Sequence, residues 1–409
     1  MLNSEKMLAA IHNQDLVHAK KYLKRALRED DAETLLSLAE YLQSIGFYPQ
    51  AKEIYLQLQP DFPEVNINLA QIASEDGQTD EAFMYLDAIA SESPDYLAAL
   101  LVKADLYDAE GLTDVAREKM LEASRISQDS LVIFGLAEIE MNLELFQDAI
   151  KHYAQLDNRE ILEETGISTY ERIGRAYAGL GKFEAAIEFF EKAIEIEFDD
   201  QTVFETAVLL YDQEEYQRAN LYFKQLDTIN PDFAGYEYVY ALSLHAEHKT
   251  EDALRLLQQG LTKNAFDSRL LLLASQLSYE LHDKKAAENY LLKALDVAED
   301  DEEILMRLSN LYLEEERFEE VVNLDTEAID NVLTKWNIAK AYQALDQDEK
   351  ALELYEDLAA DLAGNPEFLK DYIYILREFG YQEKVKSLAD SYLQLVPDDS
   401  DVADFLAEL

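Results

Sequence analysis

Residues 173–195 read Ile-Gly-Arg-Ala-Tyr-Ala-Gly-Leu-Gly-Lys-Phe-Glu-Ala-Ala-Ile-Glu-Phe-Phe-Glu-Lys-Ala-Ile-Glu. Degraded copies of this stretch recur along the whole chain of 409 residues, with a mean spacing of about 33 residues. A fixed period of this length is typical of stacked helical hairpins that share one elongated core. It therefore replaces the usual division of such a chain into independent domains.

Each copy carries a small or β-branched residue in its second helix, at a position that we number 20. The twelve residues at position 20 are Ala19, Ala51, Ala82, Ala116, Ala149, Ala186, Ala219, Ala253, Ala287, Val321, Ala351 and Val385. Twelve positions earlier, on the first helix, stand the small residues Ala39, Ala70, Ala104, Ala137, Gly174, Ala207, Ala241, Ser275, Ser309 and Ala339. Small residues at both positions let two antiparallel helices approach closely where they cross.

The second helices carry an apolar stripe at the spacing of one helix face. In the quoted copy this stripe is Ala186, Phe190 and Ala193, which follow the i, i+4, i+7 pattern of an amphipathic helix. The ends of several first helices are marked by a glycine, which favours a left-handed cap. These glycines are Gly46, Gly77, Gly111 and Gly181.

The alternation resembles the tetratricopeptide repeat, a helix-turn-helix unit, of the soluble bacterial type. The best copy matches the family pattern at Tyr170, Gly174, Tyr177, Gly181, Ala186, Phe190 and Ala193. The resemblance implies an all-α fold, a right-handed superhelical solenoid of antiparallel helix pairs with about twelve repeats and a C-terminal capping helix. Copies ten and twelve match least, and Leu324 or Leu388 could replace Asp325 or Ala389 as the core residue there.

Irregular spacing predicts where the stack is interrupted. Ala149 and Ala186 are 37 residues apart, which leaves a long connection around 157–169 and a predicted bend. We therefore expect an N-terminal block over 1–157 with about five repeats and a C-terminal block over 167–398 with about seven. Residues 399–409 are predicted to form the capping helix, with Val402, Phe405 and Leu406 on one face. The short spacing from Val321 to Ala351 predicts a tight turn near Asn331.

Composition excludes several classes of function. The chain has 85 acidic and 35 basic residues, a net charge of −50 and no cysteine. Such a charge disfavours nucleic acid and anionic membrane surfaces as partners. The first residues lack the features of a secretory signal, and no apolar run could span a bilayer, so we expect a cytoplasmic protein.

Residues that could carry chemistry are few. His245 and His248 stand three apart and could bind a metal only weakly, and the other histidines form no catalytic group. We therefore predict no enzyme activity, no catalytic residues, no metal site and no cofactor.

The resemblance implies that first helices line a concave groove at positions 2, 5, 9 and 12. In copies two to four these positions are mostly polar. From copy five onward they are apolar and aromatic with interspersed cations, and the predicted partner-binding groove consists of Phe134, Met141, Arg175, Phe204, Tyr211, Tyr238, Leu242, Arg269, Leu272, Tyr279, Met306, Trp336, Lys340, Lys370, Tyr374 and Arg377. Val208 and Leu313 belong to the same apolar strip.

An apolar strip that the hairpin core does not need usually marks a partner site. The alternative is that these side chains pack against neighbouring repeats and that the cations form salt bridges within the chain. We predict a non-enzymatic scaffold that binds a peptide or helix of a partner protein. A homo-oligomer, such as a homodimer that buries the strip, and a peptide-sensing regulator are the alternatives.

Two substitutions test this register. Ala186→Leu should lower the free energy of unfolding by about 1–3 kcal/mol, because a larger side chain overpacks the helix crossing. Trp336→Ala should leave that free energy nearly unchanged if Trp336 lies in an open groove. Chemical denaturation of both variants measures the two effects, and the opposite order would show that the register is wrong.

Overall fold

The computed structural model describes residues 2–298, 301–325 and 329–408, and these residues form 26 α-helices, one short 3₁₀ turn (Pro63–Val65) and no strand. The first thirteen α-helices are α1 (Asn3–His12), α2 (Leu16–Glu29), α3 (Ala32–Ser44), α4 (Tyr48–Leu58), α5 (Asn66–Glu75), α6 (Thr79–Asp87), α7 (Tyr96–Ala109), α8 (Thr113–Ile126), α9 (Ser130–Asn142), α10 (Phe146–Tyr153), α11 (Asn158–Thr165), α12 (Thr169–Gly179) and α13 (Phe183–Ile196). The remaining helices are α14 (Asp200–Asp212), α15 (Tyr216–Ile229), α16 (Tyr236–Ala246), α17 (Thr250–Lys263), α18 (Ser268–Glu280), α19 (Lys284–Leu295), α20 (Glu302–Glu314), α21 (Phe318–Val322), α22 (Val332–Ala344), α23 (Asp348–Leu358), α24 (Pro366–Glu378), α25 (Gln382–Leu395) and α26 (Ser400–Glu408).

The helices form twelve hairpins, and the predicted all-α fold of paired helices is confirmed. Only α11 and α26 stand outside this pairing. The chain divides into two compact units, residues 1–209 and residues 210–409. Within each unit, the second helix of a hairpin packs on the first helix of the next, as α8 does on α9 and α17 on α18.

A left-handed residue closes the turn of every hairpin. Five of these residues are glycines and seven are not: Gly46, Gly77, Gly111, Gly181 and Gly380, and then Gln14, Glu144, Glu214, His248, His282, Glu316 and Asp346. In each turn the next backbone N–H donates to the carbonyl five residues earlier, as Lys182 does to Tyr177 at 2.9 Å. This pattern is the Schellman motif, which satisfies carbonyls at the end of a first helix.

The helix crossings are as close as the small residues predict. All twelve residues at position 20 are buried, with exposures of 4% or less. At Gly174 an added Cβ would lie 2.6 Å from Cδ1 of Phe190, so even alanine is too large unless the ring shifts. The small residue therefore sets the distance between α12 and α13.

The left-handed turns also settle the register of the two weakest copies. Glu316 and Gly380 stand five residues before Val321 and Val385, the same offset as in every other hairpin. Val321 is fully buried and Val385 is 1% exposed, so valine takes the place of alanine at these crossings. In copy twelve, Ala389 is fully buried at position 24, as the original register requires.

The two irregular spacings have different causes. The connection between α10 and α12 contains α11, whose Ile161 is fully buried and whose C-cap is Gly166 at φ +73°. The expected bend is therefore occupied by an ordered helix. The short spacing after Val321 arises because α21 has only five residues, while Asn331 caps α22 by accepting from the N–H of Thr334. Ala328, which stands seven residues after Val321 and so at the last apolar position of this copy, lies outside the described residues.

The last helix packs on the end of the second unit. Val402 of α26 is fully buried, and Leu406 packs against the same core, whereas the side chain of Phe405 lies outside the described residues. Asp399 precedes this helix and accepts from Lys370 Nζ at 2.7 Å and from Tyr392 Oη at 2.6 Å. Both hydrogen bonds lower the pKa of Asp399, with the larger effect from Lys370, and the resulting value is about 2.

Replacing a non-glycine residue at a left-handed turn position by glycine should stabilise the protein. Glu144→Gly should raise the free energy of unfolding by about 1 kcal/mol, because a side chain at φ +58° is strained and glycine is not. Gly111→Ala is the matched control at the same turn position and should lower stability by a similar amount, since its φ is +75°. Thermal denaturation measures both, and a fall in Tm for Glu144→Gly would contradict this account of the turn.

Candidate groove of the first helices

The sixteen predicted groove residues are divided between the two compact units. The first unit holds Phe134, Met141, Arg175 and Phe204. The second unit holds Tyr211, Tyr238, Leu242, Arg269, Leu272, Tyr279, Met306, Trp336, Lys340, Lys370, Tyr374 and Arg377. Their surroundings are therefore described for each unit separately.

Two of the predicted groove residues belong to the core. Phe134 is 8% exposed and packs beside Tyr153, with ring centroids 6.0 Å apart. Trp336 is 6% exposed, and the ring of Phe368 meets it edge-on at 5.8 Å. The expectation that both lie in an open groove is wrong, because the aromatic side chains of neighbouring helices cover them.

In the first unit, Arg175 is part of a chain of alternating charges across α9, α12 and α14. Its Nε and Nη2 donate to Glu205 at 3.0 and 3.1 Å, and its Nη1 lies 2.8 Å from Glu171. Arg172 continues the chain from Glu171 to Glu138, with Nε 2.8 Å from the Glu138 carboxylate. Burial raises the pKa of Glu171 despite the two guanidinium groups beside it.

The cations of the second unit are also held within the chain. Lys340 Nζ lies 3.4 Å from Asp371 and 3.7 Å from the centroid of the Trp336 ring. Arg269 pairs with Asp267 at 3.1 Å, and Arg377 also has a partner in the chain. With Lys370 bound to Asp399, none of the five predicted groove cations is free, and four of them form the salt bridges that the alternative interpretation expects.

The second unit contains a cleft that brings part of the strip together. It has a volume of about 560 Å³ and lies between α18, α20 and α22. The cleft is lined by Ser275, Gln276, Tyr279, Ala287, Leu291, Arg307, Asn310, Leu311, Leu313, Glu314, Asn337 and Lys340. Three of the predicted residues thus share one cavity: Tyr279 and Lys340 of the predicted groove, and Leu313 of the apolar strip. The other members of the strip are not part of it.

Hydrogen bonds hold the polar wall of this cleft in place. Asn337 is 7% exposed and donates to Ser309 Oγ at 2.9 Å and to Asn310 Oδ1 at 2.7 Å. Tyr279 Oη donates to Glu314 at 2.6 Å, and this hydrogen bond lowers the pKa of Glu314 and raises that of Tyr279. The wall therefore presents prearranged amide and carboxylate groups next to leucine side chains.

Three buried side-chain atoms of α22, α23 and α24 make no well-formed hydrogen bond, namely Trp336 Nε1, Tyr355 Oη and Asp371 Oδ2, and the last of these is the ion-pair partner of Lys340. Burial raises the pKa of Asp371, and the ammonium group of Lys340 opposes this rise. Because Lys340 both compensates Asp371 and lies over the Trp336 ring, this lysine connects the core to the cleft.

The amide side chains of the cleft were missed at the level of sequence. Gln276 and Asn310 occupy position 9, and Asn337 occupies position 6 of its copy. The predicted groove was defined by apolar and basic residues, and these amide side chains are neither. Listing every polar residue at position 9 would have found Gln276 and Asn310, whereas Asn337 stands on a position that the groove pattern does not include.

The residues considered for metal binding have other roles. His248 is the left-handed residue of its turn, and His245 Nε2 lies 2.6 Å from Glu280. Within the part of the chain that the structure describes, His, Asp and Glu residues form no group that could hold a metal ion. None of the described helices is long and apolar enough to cross a membrane.

Sequence comparison places these features among known proteins. A family model described as YpiA-like, C-terminal tetratricopeptide repeats matches residues 333–399, and a general tetratricopeptide-repeat model matches residues 167–200. The chain is also 24% identical over 343 residues to the TPR repeat-containing protein YpiA of Bacillus subtilis (strain 168), covering 83% of this chain and 81% of that protein. Together with the helical hairpins, these matches support a tetratricopeptide-repeat protein.

Solved tetratricopeptide-repeat structures also resemble it. A structure of Naa15/Naa10 bound to HypK-THB matches with 14% identity and a TM-score of 0.42, and covers 92% of this chain. This chain spans 65% of the length of the matched chain in that structure. A protein from Parabacteroides merdae matches with 14% identity and a TM-score of 0.40, covering 68% of this chain and 98% of that protein. YrrB, described as having an unusual peptide-binding site, matches with 16% identity and a TM-score of 0.38 over 48% of this chain and 97% of its own.

Because Trp336 is buried, we expect its replacement by alanine to lower stability, which is contrary to the expectation from its sequence position. Trp336→Ala should lower the free energy of unfolding by about 3–5 kcal/mol, because it leaves a cavity beside Phe368. Tyr279→Ala removes a side chain that is 42% exposed and should cost less than about 1 kcal/mol. Urea denaturation of the two variants distinguishes these values, and equal stabilities would place Trp336 outside the core.

Proposed function

We propose that this tetratricopeptide-repeat protein is a non-enzymatic scaffold that binds a segment of a partner protein between α18, α20 and α22. The fold supports a protein–protein interaction scaffold in general terms. The finer assignment is supported by one observation, the cleft in which leucine, tyrosine and amide side chains converge.

The composition of the cleft suits a peptide better than a small polar substrate. Leu313 is partly buried and offers apolar contact, and Tyr279 is a residue type enriched at binding hot spots. Gln276 and Asn310 are exposed amides that can pair with the backbone of an extended segment. Apolar pockets with a few placed polar groups are the usual form of such sites.

The charges of the cleft favour recognition by shape and hydrogen bonds over capture of a free carboxylate. Arg307 is bonded to Glu303 at 2.6 Å, and Lys340 is held by Asp371. An acidic group of the partner would have to compete with both carboxylates. We therefore propose a largely uncharged contact segment, with the acidic surface around it disfavouring acidic partners.

Paired variants test the cleft. Tyr279→Ala combined with Leu313→Ala should weaken partner binding at least about tenfold, because both side chains contact the bound segment. Leu292→Ala with Tyr381→Ala is the matched control, since these residues are 43% and 45% exposed and lie outside the cleft. Quantitative affinity purification from the source cell identifies partners, and titration with each purified partner measures the dissociation constants.

Two outcomes would contradict the assignment. Partners that bind wild type and both variants with equal affinity would show that the cleft is not the site. A mass in light scattering that rises with concentration for wild type, and not for the Tyr279 and Leu313 variant, would show that the strip serves self-association.

A further inference from the structure

A second cleft of the same unit is formed by second helices and is separate from the proposed groove. It lies between α15 and α17, above α16, and has a volume of about 780 Å³. Its apolar residues are Leu221, Tyr240, Leu244 and Leu256, and Leu221 is 68% exposed. A leucine this exposed beside a cavity is available to a bound molecule.

The acidic groups of this cleft are already engaged within the chain. Asp227 accepts from the hydroxyl of Tyr236. Glu247 accepts from Lys249 Nζ and from Asn220 Nδ2, each at 2.6 Å, and the lysine hydrogen bond lowers the pKa of Glu247. The acids therefore have less capacity left for a ligand than the cations.

Two cations of the cleft retain that capacity. Among the described residues, Lys224 has no ion-pair or hydrogen-bond partner for its ammonium group. Arg255 donates from Nη1 to Asp252 at 3.0 Å, and its side chain is 65% exposed. A guanidinium group has five N–H donors, so most of them are open to a further acceptor. In a chain of net charge −50, these two side chains form a local exception.

A buried amide in the wall of the cleft is only half satisfied. Asn220 is 8% exposed, and its Oδ1 accepts no hydrogen bond while its Nδ2 donates to Glu247. Buried amide oxygens without a donor are uncommon in folded proteins and call for an explanation. Asn220 lines the cleft, and we assign its amide oxygen as the acceptor for a donor of the bound segment.

We infer that the cleft between α15 and α17 is a second peptide-binding site, which takes an extended segment with an acidic side chain beside an apolar one. The acidic side chain meets Lys224 and Arg255, the apolar one packs on Leu221 and Leu256, and a backbone N–H of the segment donates to Asn220. Charge complementarity carries the choice, since Lys224 is unpaired among the described residues and Arg255 uses only one of its N–H groups for Asp252.

Peptide selection on the full chain tests this site. A phage-displayed library of random dodecapeptides is selected against wild type, and the enriched peptides are synthesised and titrated by fluorescence anisotropy. One class should combine acidic with apolar residues, and Lys224→Glu with Arg255→Glu should weaken it on the order of tenfold or more. Lys21→Glu with Lys24→Glu is the matched control, because these exposed lysines occupy the same two repeat positions on α2.

A second variant separates binding from folding. Asn220→Leu removes the unpaired amide oxygen together with the donor to Glu247, which keeps its hydrogen bond from Lys249, so the Tm should stay close to that of wild type. Its affinity for the same peptides should nevertheless fall, because the acceptor for the backbone N–H is lost. A fall in both Tm and affinity would point to a purely structural role for Asn220 and would count against the proposal.

The site is distinguishable from the groove of the first helices. The acidic class of peptides should bind the Tyr279→Ala, Leu313→Ala variant with unchanged affinity, so this site can stand if the proposed groove fails. If no acidic class is enriched, or if that class keeps its affinity for the Lys224 and Arg255 variant, the inference is overturned. It is also overturned if that charge reversal changes the oligomeric mass in light scattering, since the cleft would then join two copies of the chain.

Discussion

The close crossing of two helices within each hairpin is the constraint on which the rest of this structure depends. Alanine, glycine, serine or valine stands at the crossing, and an added methyl group at Gly174 would collide with Phe190. Close packing leaves no space for a larger side chain without displacing the backbone. Once the distance between the two helices is set, the faces that remain outside the hairpin are determined as well. Those faces pack the next hairpin and form the clefts.

The turn within each hairpin keeps this crossing in register. A left-handed residue recurs five positions before the crossing residue in all twelve hairpins, and the next N–H caps the first helix each time. Glycine is present in five of these turns only. The remaining seven accept a strained side chain, which shows that packing of the two helices outweighs a local cost of about 1 kcal/mol.

Charge is distributed so that the first helices of each unit neutralise their own cations. Arg175 in the first unit and Lys340 in the second are both bound by carboxylates of neighbouring helices. Such pairs add little stability at an exposed surface, but they reduce the capacity of these cations to attract an acidic partner. Lys224 differs because its ammonium group has no partner among the described residues, and Arg255 differs because its contact with Asp252 leaves most of its N–H donors open. Two clefts of one unit, formed by different sets of helices, thus offer different chemistry to a partner.

The amino-acid sequence by itself determined the hairpin, because the period, the small crossing residues and the glycine caps are local patterns of residue size and backbone freedom. These patterns were sufficient to predict the all-α class and the register of most copies. Tertiary structure decided which groove residues are open. Trp336 is covered by Phe368 from the next first helix, and Phe134 packs on Tyr153, so neither exposure could be read from position alone. The amide wall at Asn337 also depends on hydrogen bonds to Ser309 and Asn310 of the preceding first helix. The burial of Trp336 and the ion pairs of Arg175 and Lys340 depend on the neighbouring repeat, whereas each helix crossing depends on the residues of one hairpin.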